Sequence, residues 1–99
     1  MKILPLLVLI SAPAFAETDA DILCPLVGDA AQSVIQAYFE GLTLSDAMKI
    51  ADGDELLTSI VMDAYDEPRF SDEEVIAEAT FNFRNKWEHD CFQYYATNL

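Results

Sequence analysis

Basic residues are scarce in this chain. Its 99 residues carry five Lys plus Arg against 18 Asp plus Glu, a formal net charge of −13. Holding a phosphate backbone takes clustered Lys and Arg, so no nucleic acid is expected as a partner. Anionic membrane surfaces are disfavoured for the same reason. Glycine is equally sparse, with three residues spaced far apart, and that leaves no glycine-rich loop to cradle phosphates. The one histidine, His89, has Asn85 and Gln93 four residues away on either side. It therefore lacks a ligand partner at helical spacing, and it falls away from the core face of its helix. Cysteine occurs twice, at Cys24 and Cys91, without a Cys-x-x-Cys. Two Cys and one His do not make a zinc site without carboxylates. Catalysis is not expected, no metal site is assigned and no cofactor is implied. No segment approaches the roughly 20 apolar residues that cross a bilayer, and no stretch alternates with period two for long enough to form a strand.

What is present begins with an address. Met1-Lys2 is a short basic region, Ile3 to Ile10 is apolar apart from Pro5, and Ala14-Phe15-Ala16 supplies small residues at the cleavage positions. That is the layout of a secretory signal, expected to be cut after Ala16, so the mature protein is expected to be exported. Removing residues 1–16 leaves 99 − 16 = 83 residues, with 4 basic against 18 acidic side chains and a net charge of −14. Of the 83, 40 are apolar, which is ordinary for a globular domain and too many for a disordered acidic tail. In an oxidising compartment the two cysteines read as one disulfide. It would close a loop of 91 − 24 = 67 residues, a constraint of about 4 kcal/mol in the chain-entropy picture.

The mature chain reads as all-α, a small four-helix bundle clamped by that disulfide. Residues 17–23 are expected as a frayed acidic segment, 24–95 as the helical domain and 96–99 as a tail. From Cys24, apolar residues recur in steps of three and four through Val27, Ala31, Val34, Ile35 and Tyr38, one face of a helix that Pro25 opens and Gly41 stops. Ser45 is expected to begin a short second helix ending at Gly53. Asp52 or Asp54 is expected to cap a third, whose core face is Leu57, Ile60, Val61 and Ala64, with Asp66-Glu67-Pro68 breaking it. Ser71-Asp72-Glu73-Glu74 reads as a capping box with Ser71 at the N-cap. The helix it opens is expected to run to about Tyr95, burying Ile76, Ala79, Thr80, Phe83, Trp87, Cys91 and Tyr94. Packing the first and last helices antiparallel brings the two cysteines together.

Several residues taken together carry a resemblance. Cys24 shortly after a signal, a helix ending at Gly41, Ala64-Tyr65-x-x-Pro68-Arg69-Phe70-Ser71, Phe83-x-Asn85 and Cys91 resemble a group of small exported helical proteins from proteobacterial and phage sequences. That group has no assigned activity, so the resemblance implies a fold and a periplasmic location and carries over no catalytic residue. In the group a basic-polar pair often precedes the glycine; here Tyr38-Phe39 stands there, which removes a positive charge. Within the turn, Phe70 is expected to staple onto Val75 or Ile76 and Arg69 to answer Asp66 or Glu67.

Two surface features remain. Asp52-Gly53-Asp54-Glu55 is the densest short carboxylate cluster and a weak candidate for a divalent cation, although Leu56 stands where a third ligand belongs. Phe81 and Phe92 lie three helical turns apart on the face opposite the core. With Glu88, Arg69 and Phe70 they form the candidate interface. The expected function is binding: an acidic exported module that meets a basic protein partner, in the manner of an inhibitor or immunity protein or of an envelope interaction module. The alternatives are an acid-responsive periplasmic holdase or a weak cation binder. The oligomeric state is open.

Overall fold

In a computed structural model the backbone is described for residues 3–97 and the side chains for residues 19–97. The expected signal segment therefore lies outside the residues whose side chains are described. Four helices follow one another: α1 (Ile3–Phe39), α2 (Leu44–Ala51), α3 (Glu55–Ala64) and α4 (Glu73–Thr97). No strand occurs among the described residues. The all-α expectation holds, and Cys24 and Cys91 are joined by a disulfide with their Cα atoms 5.5 Å apart.

α1 does not begin at Cys24. The helix continues through residues 17–23, where a frayed segment was expected, and Ala20 is buried. Ala20 precedes Cys24 by one turn on the same stripe, so the core face simply extends upstream. Pro25 removes the N–H that would reach the Asp21 carbonyl, and Asp21 is exposed, so that carbonyl is left to solvent. At the other end the expected stop at Gly41 is a Schellman turn. The Leu42 N–H reaches the Ala37 carbonyl at 3.0 Å and the Gly41 N–H reaches Tyr38 at 3.1 Å. Gly41 has φ of 99° with nothing near its missing Cβ, so glycine is needed there for backbone conformation alone.

One start and one cap differ from expectation. α2 begins at Leu44, one residue before the expected Ser45, and Thr43 caps it: the Thr43 hydroxyl accepts the Asp46 N–H at 3.2 Å. The chain restarts its helix directly after the Schellman turn. α4 is capped by Asp72, not by Ser71. One Asp72 carboxylate oxygen accepts the N–H groups of Glu74 at 2.8 Å and Val75 at 3.2 Å. An ionised acceptor outcompetes the neighbouring hydroxyl, and the one-residue shift takes Glu74 out of the capping-box position. α3 is capped as one of the two expected alternatives, by Asp54 on Leu57 at 2.9 Å. α4 ends at Thr97, slightly beyond Tyr95.

α1 and α4 are antiparallel. Cys24 meets Cys91, Gly28 lies under Glu88, and Asp29 meets Arg84, so partners descend along α4 as they ascend along α1. α3 fills the third side. Ala31, Ile35, Tyr38, Ile60, Ala64 and Phe83 form the buried core, with Ile35 and Ile60 fully enclosed. Each fully buried large apolar side chain contributes roughly 1.5–3 kcal/mol. α2 caps the assembly through Ala47 and Ala51. On α4, Thr80 and Phe83 are buried and Ile76, Ala79, Trp87 and Cys91 are half-buried, as expected. Tyr94 is not: it is 63% exposed. It stands one turn beyond the disulfide, where it lines an open groove with Leu23 and Leu26 of α1 instead of entering the core.

Candidate functional site

The four basic side chains among the described residues are all engaged within the chain. Arg84 donates to Asp29 at 2.7 Å and to Gln32 at 2.9 Å, and lies 3.5 Å from Glu88, bridging α4 to α1. The hydrogen bond to Asp29 is the main reason that its guanidinium holds its proton more firmly than usual, against partial desolvation. Lys86 pairs with Asp63, and the same carboxylate accepts the Trp87 indole N–H at 2.9 Å, so one side chain of α3 fastens two of α4. Arg69 donates to the Tyr38 carbonyl and covers the Tyr38 ring at 4.0 Å. Lys49 stands 3.9 Å from Asp46 on the α2 surface.

Arg69 thus does not answer Asp66 or Glu67 as expected. A carbonyl in the last turn of α1 sits at the negative end of a helix, and a cation favours it. The surrounding residues form a knot. Tyr38 donates its hydroxyl to the Glu67 carbonyl and Tyr65 donates to Leu42. The Phe70 ring meets Phe39 at 6.0 Å, and Val75, one of the two expected staple partners, lines the same hollow as Phe70. The turn 65–70, which leads from α3 into α4, is therefore tied to the end of α1. Burial raises the Tyr65 hydroxyl above the usual phenol range, with Arg69 opposing.

The candidate interface residues are not brought together. Phe81 is 62% and Phe92 40% exposed, on the outward face as expected. About 16 Å of helix separates them. Between them Glu88 is half-buried, folded over Gly28. Arg69 and Phe70 belong to the knot. In the carboxylate cluster, Asp54 caps α3 and Asp52 ends α2 with φ of 49°. Asp52, Asp54 and Glu55 do not converge: among the described residues no three His, Cys, Asp or Glu side chains are placed to hold a metal ion. His89 is exposed, with its Nδ1 3.5 Å from Asp90.

No family model, curated protein or solved structure matches this chain. No helix of the described residues is long and apolar enough to cross a membrane.

Sequence reasoning missed a groove of about 590 Å³ beside the disulfide, between α1 and α4. Leu23, Leu26, Val27, Leu56, Trp87 and Tyr94 line it, with Asp90 as its only charged wall residue. Its volume lies within the roughly 300–1,000 Å³ of ligand sites. A smaller apolar cavity of about 200 Å³ lies among α1, α2 and α3 near Val34, Ala37, Leu57 and Val61. The one sequence signal for the groove was the pair Leu23 and Leu26, apolar residues that flank Cys24 outside the core stripe.

Proposed function

We propose that this is an exported, periplasmic binding protein whose partner is a basic protein. The observation that supports the reading is the disposition of charge. The chain has 18 acidic residues, and each basic side chain of the described residues already faces a partner within the fold. The remaining carboxylates present a field of one sign to the solvent. Such a field speeds encounter with a cationic surface and rejects anionic ones. An inhibitor or immunity role toward a basic enzyme is a concrete form of this reading. The disulfide suits an oxidising compartment.

The test is capture of a basic protein at one-to-one stoichiometry from an envelope extract at low salt, released at high salt. A partner that stays bound regardless of salt, or no partner at all, refutes the reading.

A second reading, an acid-responsive holdase, draws on exposed apolar side chains scattered over the surface, among them Ile50 at 70% and Phe81 at 62%. Near pH 3 the carboxylates are largely neutral and the net charge turns positive. Protection of an aggregating client at pH 3 and not at pH 7 would favour it.

A further inference from the structure

We propose that the groove beside the disulfide is the docking site, and that its occupant is a cationic amphipathic helix of the partner. This rests on the basic-partner reading above and names the surface through which it acts.

Three observations point to this occupant. The groove walls are apolar, with Leu26 57%, Leu23 43% and Leu56 45% exposed, so a ligand gains by bringing apolar side chains of its own. The groove's one charged wall residue among those described is acidic, and exposed carboxylates stand near the wall residues in sequence. Asp90 is on the wall, Asp19 stands one turn ahead of Leu23 on α1, and Glu55 precedes Leu56 at the start of α3. Among the described residues no Lys or Arg lines the groove. The α1 wall from Leu23 to Ala30 is about 10 Å long, two turns of an incoming helix whose apolar residues fall at i, i+3, i+4 and i+7. A second copy of this chain would set acidic flank against acidic flank, and an anionic lipid surface meets the same repulsion. A helix with an apolar stripe between Lys or Arg residues satisfies the walls and the flanks together. Phe81 and Phe92 lie outside the groove and take no part.

Trp87 is the only tryptophan and it lines the groove, so its emission reports occupancy directly. The probe is a two- to five-turn peptide of Leu and Lys with Leu at helical spacing, titrated into the oxidised protein. A sequence-scrambled peptide of identical composition serves as the charge control. The expected result is a saturable Trp87 shift, with the patterned peptide binding at least about tenfold more tightly than the scramble (about 1.4 kcal/mol). Leu26→Ser, a half-exposed position that helical circular dichroism will show to be folded, should abolish that difference, as should Leu56→Ser. Phe81→Ser should leave it intact. Equal affinity for the two peptides overturns the groove, and so does an unchanged preference in both Leu variants. A Trp87 shift produced by phosphatidylglycerol vesicles, or by raising the protein concentration alone, overturns the choice of occupant. If the Leu variants still capture the basic partner from extract, the groove is wrong and the acidic-surface reading survives. If no basic partner is captured by the unaltered protein, that broader reading falls, whatever the peptides do.

Discussion

Opening the Cys24–Cys91 bond is the sharpest perturbation the fold offers. The bond closes a loop of 67 residues. With n near that value, the chain-entropy relation gives a denatured-state constraint of about 4 kcal/mol at 25 °C. A domain of 60–100 residues loses roughly 4–8 °C of melting temperature per kcal/mol. Reduction should therefore lower the melting temperature by roughly 15–30 °C. Cys24→Ala/Cys91→Ala should reproduce most of it. The geometry also says where the loss begins. The far end of α1 is held independently, through Arg69 of the turn that leads into α4, and Arg84 bridges the middle of the pair. Local opening should start at the cysteine end, so amides in 20–27 and 88–95 should lose hydrogen-exchange protection before those in 35–39 and 76–83. Calorimetry with and without reductant measures the first quantity, and native-state exchange the second. A melting shift under about 5 °C, or a uniform loss of protection along both helices, would refute the account of the disulfide as an end clamp.

Asp63→Ala removes the partner of both the Trp87 indole N–H and the Lys86 ammonium, and should cost about 0.5–1.5 kcal/mol in urea unfolding, since water reaches both groups, while shifting Trp87 emission; an unchanged midpoint contradicts Asp63 as the α3–α4 fastener. At Gly28 an added Cβ would stand 2.9 Å from Glu88 Cγ, so Gly28→Val should destabilise by about 1–3 kcal/mol. Glu88→Ala should recover part of that loss, and strict additivity in the double-mutant cycle would show that the two residues do not press on each other. Because burial raises the Tyr65 hydroxyl, its contribution is fully present below the usual phenol value of about 10 and disappears as pH rises through the higher folded value. Ultraviolet titration should show a phenol phase above the ordinary range that Tyr65→Phe removes, and the same variant should flatten the alkaline fall in stability; a titration curve that Tyr65→Phe leaves unchanged in that range would contradict it.

The helices and the disulfide were legible because each is written in local periodicity or in a pair of residues. Steps of three and four from Cys24 to Tyr38 name a buried face whatever the helix packs against, and two cysteines allow one intramolecular pairing. The caps were legible only in part. Thr43 and Ser45, or Ser71 and Asp72, are competing acceptors one or two residues apart, and the winner depends on how the preceding turn delivers the backbone. The ties were not legible. Asp63 lies 24 residues from Trp87 and Arg69 lies 31 from Tyr38, and no local rule chooses these partners over the nearer Asp66 and Glu67. The groove was hidden for a related reason. Tyr94 continues the α4 stripe faultlessly, but among the described residues no element covers that level of the bundle, so a residue patterned for the core lines an open wall.

α1 is fastened at both ends, to α4 by a covalent bond at one and to the turn leading into α4 by the tyrosine–arginine knot at the other. Sliding α4 along α1 by a turn would break the covalent bond and pull on the knot through the short link from Phe70 to Glu73. The spacing of the groove walls is therefore set before any ligand arrives. Little of a ligand's binding energy is then consumed in ordering the receptor. Complexes made on such a surface should form by rigid docking, with rates governed by diffusion and charge and not by a conformational step.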